Sequence, residues 1–326
     1  MQNDLIIYEQ QGNGGCIGVI SLNMPSRLNA VNLDNVKLIH KKLCQWDSDS
    51  NIKAILIRSH HESFFCSGGD LKSIYNNDFS YAKAKFWHEY RLIAKINSLS
   101  KPYIALINGI TMGGGVGLGI NGRFCISATN LTFAMPETSI GFFPDVGASY
   151  FLPKAPGKTG LYLGLTGCSI TADDALFCGF IDYIVEYKNF SQIVADINKT
   201  NLDSNSEEKL QDIFNHYALP KHEGNLEQRF QDINNTFDIP RYNSPNSLRV
   251  TEKLLTSNSL SFNSALQQEF QLACNFFKAH DFKEGIRAKI ITKDNKPSWQ
   301  DHHDYSLEHF FQANEAELKF NDKDIL

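Results

Sequence analysis

The residues best suited to chemistry follow one apolar strand in the middle of the chain. After the apolar and β-branched run 103–107 come a glycine cluster and then two acids, Glu137 and Asp145. Glycine lacks a Cβ, so a ligand can come within hydrogen-bond distance of the backbone there. If a helix begins in the cluster, the N–H of Gly114 has no partner inside that helix and can hold a carbonyl oxygen as it becomes an oxyanion. The structural alternative is close packing of a glycine-rich helix against a sheet.

A second glycine turn favours the oxyanion interpretation. The sequence FFCSGGD, residues 64–70, follows an apolar strand predicted over 52–57 and precedes a helix predicted to start at Leu71. Gly69 in this turn can therefore supply a second backbone donor. Two N–H donors on separate strand-to-helix turns are an arrangement that stabilises the tetrahedral intermediates of acyl transfer.

The elements that must position these residues form a repeating layout in the first part of the chain. Hydrophobic alternation and turn residues predict paired strands over 5–8 and 18–22, and short strands over 124–126 and 131–134. Apolar spacing predicts a long helix over 81–99, which ends before a proline because that residue disfavours helix ahead of it. The order of elements predicts an α/β chain.

Past about residue 187 the sequence pattern becomes helical throughout. Helices separated by polar, Asn-, Ser- and Pro-rich turns are predicted over 191–198, 206–217, 226–237, 245–256, 262–279 and 305–318. We therefore expect a core with the functional site over residues 1–187 and a helical C-terminal region over residues 188–326.

Long motifs in this sequence resemble those of a known family. The motifs are KPYIALINGITMGGGVGL, FAMPETSIGFFPDVGASYFLP, FFCSGGD and DFKEGIRAKIITKDNKPSW. They are similar to the crotonase, or enoyl-CoA hydratase/isomerase, superfamily from about Leu5 to Val185, and within it to the 3-hydroxyisobutyryl-CoA hydrolase branch. The resemblance implies a crotonase-like spiral of ββα units with a helical C-terminal region.

The resemblance also implies roles for individual residues. Glu137 takes the place of the family's acid/base glutamate. Asp145 stands where hydratases of the family carry glycine and the hydrolase branch carries aspartate. Gly117 stands where hydratases carry a second glutamate, and two carboxylates around one water are what those enzymes use to hydrate a double bond. Ordinary hydratase activity is therefore not expected.

Three further residues are implied to contact the substrate, each with a plainer alternative. Glu89 matches a substrate-contacting glutamate of the hydrolases, placed to meet a 3-hydroxyl, although a solvated helix face is the alternative. Arg27 is a candidate for CoA phosphate or an ordinary surface arginine. Ser67 lies where the family turns around the CoA moiety, whereas Asp70 in the same turn is better interpreted as a helix N-cap.

The implied activity is hydrolysis of a short branched 3-hydroxyacyl-CoA, with 3-hydroxyisobutyryl-CoA of valine catabolism as the expected substrate. The alternatives are an enoyl-CoA hydratase or isomerase and a non-catalytic acyl-CoA-binding protein. No cofactor is expected beyond the CoA of the substrate. A G-x-G-x-x-G match at 117–122 falls inside the helix predicted at the glycine cluster rather than in a strand-to-helix turn, so nicotinamide binding is not expected.

Composition sets limits on the remaining possibilities. The 326 residues carry a formal net charge of −5 with a pI near 6.1, which gives no sign of nucleic-acid binding. Seven scattered cysteines without a C-x-x-C pair argue against a disulfide framework and a zinc site, and no metal is expected. Neither a transit peptide nor a membrane-spanning segment is predicted. We expect a cytoplasmic location and leave homo-oligomerisation open.

Overall fold

Two β-sheets form the first part of the fold. The computed structural model describes residues 5–203, 205–257, 260–300 and 306–321. In the large sheet the strands are ordered β1-β2-β3-β5-β7-β9, and in the small sheet β4-β6-β8. Their bounds are β1 Leu5–Gln11, β2 Ile17–Asn23, β3 Ala54–Ser59, β4 Phe64–Cys66, β5 Tyr103–Ile107, β6 Ile110–Met112, β7 Phe124–Ala128, β8 Thr132–Ala134 and β9 Tyr183–Val185.

The chain alternates between the two sheets as it advances. Strands β3, β5 and β7 lie in the large sheet, and the strand after each of them, β4, β6 or β8, lies in the small sheet. The two strands predicted to pair, β1 and β2, do so and are antiparallel, whereas all other pairings of these strands are parallel. Helices follow β4 and β6 before the chain returns to the large sheet. The predicted spiral of ββα units is therefore confirmed.

Helices cover the sheets and make up the C-terminal region. Their bounds are α1 Leu33–Ser48, α2 Leu71–Tyr75, α3 Phe79–Ser98, α4 Gly114–Ile120, α5 Ala148–Phe151, α6 Thr159–Thr166, α7 Ala172–Phe177, α8 Phe190–Lys199, α9 Ser206–Tyr217, α10 Asn225–Gln228, α11 Phe230–Asn235, α12 Pro245–Thr256, α13 Phe262–Lys278, α14 His280–Ile286 and α15 Leu307–Phe311. A π-helical turn, Arg287–Ile291, continues α14. Within the described ranges, no helix is both long and apolar enough to cross a membrane.

Two helix predictions were wrong in the C-terminal region. The segment 226–237 forms two short helices instead of one. The helix predicted over 305–318 is reduced to α15, and residue 305 lies outside the described residues. The side-chain amide of Asn275 donates to the carbonyls of Phe310 and Gln312, each at 2.9 Å, so α13 holds this segment in a non-helical path. Such long-range contacts override local helix propensity.

The long helix α3 carries part of the site. It starts at an N-cap, where Asp78 accepts a hydrogen bond from the Tyr81 N–H at 3.1 Å. Its buried positions recur at helical spacing, and three of them, Phe86, Tyr90 and Ile93, are each at most 2% exposed. This face packs inside the molecule, so polar residues that share it are buried too.

Side chains from both sides of residue 187 share one hydrophobic cluster. Phe142 stacks on Phe282 of α14 with ring centroids 4.4 Å apart. Phe143 contacts Phe276 of α13 with centroids 5.3 Å apart. The C-terminal helices therefore complete the hydrophobic core formed by residues before 187. The domain boundary at residue 187 stays a prediction.

Helix α4 can approach the small sheet closely because its first turns are glycine. A Cβ on Gly115 would lie 2.1 Å from the backbone oxygen of Cys66 in β4, far inside van der Waals contact. A Cβ on Gly119, one turn later, would meet side-chain atoms instead, Cγ2 of Ile107 at 3.0 Å and Cε1 of Phe65 at 3.8 Å. The glycine at position 115 therefore determines how closely α4 packs on β4.

We predict that Gly115→Ala lowers the free energy of unfolding by about 1–3 kcal/mol, because a rigid backbone atom must move to admit the methyl group. The matched control is Gly119→Ala in the same helix, where a side chain can move and alanine has a helix propensity about 1 kcal/mol better than glycine. Urea unfolding of the two variants measures the difference. Equal stabilities would show that the approach of α4 to β4 does not depend on Gly115.

Candidate active site

One cavity of about 320 Å³ collects most of the residues singled out from the sequence. Its lining includes six of them: Ser67, Gly69, Glu89, Gly114, Glu137 and Asp145. Arg27 is not part of the lining. It forms an ion pair with Asp70 at 3.4 Å, and its side chain is 38% exposed. Asp70 also accepts a hydrogen bond from the Ser73 N–H at 3.1 Å, which confirms it as the N-cap of α2.

The two glycine turns come together at the cavity wall. A Cβ on Gly114 would lie 3.3 Å from the backbone nitrogen of Gly69. A Cβ on Gly68 would lie 3.4 Å from the backbone nitrogen of Gly114. Neither the Gly69 nor the Gly114 N–H donates a hydrogen bond within the described residues. Buried N–H groups normally have partners, so this pair of donors is suited to hold a ligand oxygen.

Glu137 lies directly after β8, where Pro136 leads into a short 3₁₀ turn, Glu137–Ile140. Gly141, with a φ of 71°, closes the turn in the left-handed region. The side chain is only 7% exposed, and within the described residues its Oε2 atom has no hydrogen-bond partner. Burial raises the pKa of Glu137 well above its ordinary value, and the charge of Asp145 raises it further.

Asp145 lies in the loop before α5 and is also 7% exposed. The hydroxyl of Tyr90 donates a hydrogen bond of 2.7 Å to its Oδ2 atom. Burial raises the pKa of Asp145 to about 8, the charges of Glu89 and Glu269 add to the rise, and the Tyr90 hydrogen bond opposes it. The next residue, Val146, has a φ of 54°, a region that β-branched residues rarely occupy. Local strain therefore lies beside this carboxyl.

Glu269 of α13 holds the Asp145 loop and was not found from the sequence. It is completely buried and accepts hydrogen bonds from the Gly147 N–H at 2.8 Å and the Ser149 N–H at 3.0 Å. It also accepts one from the Ser149 hydroxyl at 2.6 Å. Burial raises the pKa of Glu269 to about 7, although these hydrogen bonds act to lower it. No local signal could have indicated it, because more than a hundred residues separate it from its partners.

Lys85 is a second residue that sequence reasoning missed. It lies one helical turn before Glu89 on α3, and its ammonium forms an ion pair with the Glu89 carboxylate. Both residues are 3% exposed, so the solvated helix face considered for Glu89 is wrong. The i,i+4 spacing of opposite charges was a signal that could have found the pair.

The position of Gly117 leaves no room for a further carboxylate. A Cβ there would lie 2.8 Å from Cβ of Val146 and 3.0 Å from Cδ1 of Ile93. The side chains of Val146 and Ile93 thus occupy the space where the resemblance places a hydratase glutamate. The catalytic arrangement of a hydratase would require the Asp145 loop to move.

The C-terminal region forms part of the cavity wall. Phe282 of α14 and the π-turn residues Lys289 and Ile290 line it. π-Turns frequently occur at functional sites. Among the described residues, no group of three or more His, Cys, Asp or Glu side chains is placed to hold a metal ion.

Known proteins are similar to this chain over most of its length. The family model described as enoyl-CoA hydratase/isomerase matches residues 17–242 and 239–309. The mitochondrial 3-hydroxyisobutyryl-CoA hydrolase of Xenopus tropicalis is 34% identical over 318 residues, which cover 87% of this chain and 82% of the relative. The human protein of that name is also 34% identical, with 94% and 89% covered.

Solved structures with the same fold come from differently named enzymes. A carnitinyl-CoA dehydratase from Mycobacterium thermoresistibile superimposes with a TM-score of 0.86 at 28% identity, covering 98% of this chain and 100% of that chain. An enoyl-CoA hydratase from Rhodobacter sphaeroides 2.4.1 gives a TM-score of 0.81 at 30% identity, with 94% and 96% covered. The fold therefore does not by itself decide among these reactions.

The raised pKa of Asp145 predicts a stability that depends on pH. The unfolded carboxyl releases its proton near pH 4, whereas the folded one keeps it up to about pH 8. Its stabilising contribution is therefore complete below pH 4 and is lost as the pH rises towards 8. Between pH 5 and pH 8, Asp145 makes the free energy of unfolding of the wild-type protein fall by up to about 1.4 kcal/mol per pH unit. We expect Asp145→Asn to remove this part of the fall.

Urea unfolding across this pH range measures the effect. The control is Asp212→Asn, which removes an exposed carboxyl from α9 and should leave the slope of the wild-type protein. Parallel curves for Asp145→Asn and the wild-type protein would contradict the assigned shift.

Proposed function

Since the chain belongs to the enoyl-CoA hydratase/isomerase family, the crotonases, we propose that it hydrolyses the thioester of a short branched 3-hydroxyacyl-CoA. The proposed substrate is 3-hydroxyisobutyryl-CoA, and the products are 3-hydroxyisobutyrate and CoA, a step of valine catabolism. The observation that carries the proposal is one cavity with two buried carboxyls, Glu137 and Asp145, and two N–H donors that have no hydrogen-bond partner among the residues that the structure describes. The names of the relatives support the choice of substrate.

The first step is binding of the thioester oxygen by the N–H groups of Gly69 and Gly114. Negative charge accumulates on this oxygen as the carbonyl carbon becomes tetrahedral, so both hydrogen bonds strengthen on the way to the transition state. Each donor of this kind typically lowers the activation free energy by roughly 3 kcal/mol. Because both donors are backbone groups on packed turns, they require little reorganisation during the reaction.

The second step uses the two carboxyls, and two routes are open. In one, the ionised Glu137 attacks the carbonyl carbon, the C–S bond breaks, and water then hydrolyses the resulting anhydride. In the other, Glu137 takes a proton from a water molecule that attacks the same carbon. In both, Asp145 orients water or gives a proton to the leaving thiolate. Burial raises the pKa of both carboxyls, and the charge of Asp145 raises that of Glu137 further, which suits a division with one carboxyl protonated and the other ionised.

The remaining predicted residues hold the substrate in this proposal. Glu89 accepts a hydrogen bond from the 3-hydroxyl of the acyl group. Ser67 contacts the CoA moiety at the cavity wall, and Arg27 lies next to it, since the Ser67 hydroxyl donates to the Arg27 carbonyl at 3.4 Å. Arg27 would have to exchange its ion pair with Asp70 for a CoA phosphate.

The alternatives fit the cavity less well. Hydration of an enoyl-CoA calls for a second glutamate that the packing around Gly117 does not admit. A protein that only bound acyl-CoA would gain nothing from two buried carboxyls, because burying such groups costs free energy. A cytoplasmic location and homo-oligomerisation stay predictions, and the relatives described above are named as mitochondrial proteins.

We predict that Glu137→Gln and Asp145→Asn each lower kcat/KM for 3-hydroxyisobutyryl-CoA by at least about 100-fold, because each removes a group that transfers a proton or attacks the carbonyl. Thiol release followed with a disulfide dye measures the rate. The control is Glu208→Gln, which changes an exposed carboxyl on α9 and should leave the rate unchanged. Wild-type protein that releases no thiol from this ester would contradict the proposed function.

A further inference from the structure

We propose that Lys85 is the positioning residue that makes this site selective for 3-hydroxyacyl thioesters, by holding the Glu89 carboxylate with one oxygen aimed at the acyl group. The inference rests on the proposed function, which supplies the acyl-CoA substrate. Lys85 acts through Glu89 and not on the reacting carbonyl.

The two carboxylate oxygens of Glu89 have different surroundings. The Lys85 ammonium donates to Oε2, and both side chains are 4% exposed. The other oxygen, Oε1, lies beside Gly114, where an added Cβ would be 2.9 Å away. Lys85 therefore holds Oε2 and leaves Oε1 beside the oxyanion donor Gly114.

The ion pair lies at the place where the acyl group must bind. The Lys85 ammonium is beside Gly69, where an added Cβ would be 2.7 Å from Nζ. Gly69 and Gly114 are the two donors assigned to the thioester oxygen, so Glu89 and Lys85 lie next to the carbonyl carbon. The 3-carbon of the acyl chain is two bonds from that carbon, within reach of Oε1.

The surrounding charges explain why Glu89 needs this partner. Glu137, Asp145 and Glu269 are all buried in the same region. An unpaired carboxylate among them would face repulsion as well as the cost of desolvation. The positive charge of Lys85 offsets both effects. Among the described residues that line the cavity, the only other cationic side chain is Lys289 on the C-terminal wall.

An ionised Glu89 can distinguish a hydroxyl group from a hydrocarbon. A carboxylate only accepts hydrogen bonds, so Oε1 gains a partner from a 3-hydroxyl and stays unpaired beside a methyl group. Buried sites that hydrogen-bond a substrate hydroxyl reject the analogue that lacks it for this reason. A freely rotating Glu89 would lose most of that discrimination.

The test compares 3-hydroxyisobutyryl-CoA with isobutyryl-CoA, which differ only in the hydroxyl. The ratio of their kcat/KM values, from thiol release, is measured for wild type, Lys85→Met, Glu89→Gln and the double variant. We expect the ratio to fall at least 10-fold in each single variant and no more than about 2-fold further in the double variant, since both changes remove one interaction. Thermal unfolding confirms that each variant is folded.

A matched control separates this role from a general stabilisation of helix α3 by its ion pairs. Lys95→Met makes the same substitution on the same helix and breaks an ion pair with Asp47, a residue outside the cavity lining. This variant should keep the wild-type ratio. Equal loss of activity on both esters in Lys85→Met, with the ratio within 2-fold of the wild-type value, would overturn the proposal.

A binding measurement keeps the inference separate from the proposed reaction. In the Glu137→Gln background, calorimetry gives the Kd of both thioesters with Lys85 present or replaced by methionine. We expect Lys85→Met to lower the binding preference for the hydroxylated ester at least 10-fold. If the wild-type protein hydrolysed neither ester, the proposed function would fail, and an unchanged Kd ratio would separately overturn the role of Lys85.

Discussion

The structure around the cavity depends on the cost of burying four carboxyl groups close together. Ionised groups in an apolar interior need partners, and three of these four acids each have a different one. Glu89 has the ammonium of Lys85, Asp145 has the hydroxyl of Tyr90, and Glu269 has two backbone N–H groups and a serine hydroxyl. The Oε2 atom of Glu137 has no partner within the described residues. Glu137 is therefore the acid whose environment leaves it most ready to react.

The fold supplies these partners from distant parts of the chain. The ββα spiral brings the two glycine turns together, and α3 presents Lys85, Glu89 and Tyr90 on its buried face. Helix α13 adds Glu269, which fixes the loop carrying Asp145 in a strained path. The C-terminal helices are thus part of the site, since loss of their contacts would leave that loop without its hydrogen-bond acceptor.

Features that depend on local sequence patterns could be predicted, whereas features that depend on contacts between distant segments could not. The glycine turns, both acids and the ββα order are local patterns or long motifs, and the structure places those residues in one cavity. The partners Tyr90 and Glu269 could not be predicted, because they depend on packing between segments far apart in sequence. The same reason explains the error over 305–318, where amide groups of α13 satisfy backbone carbonyls that a helix would have used. Arg27 shows that a motif alone does not place a residue in the cavity. Its position in a family motif suggested a contact with the substrate, but the residue is not part of the cavity lining.

The measurement that tests the central claim most directly is product analysis of 3-hydroxyisobutyryl-CoA turnover in ¹⁸O-labelled water by mass spectrometry. Hydrolysis at this site predicts free CoA together with 3-hydroxyisobutyrate that carries the label in its carboxyl group. A product that keeps the thioester and has lost one water, methacrylyl-CoA, would contradict the account. That result would return the protein to the hydratase and dehydratase reactions of its family, despite the packing around Gly117.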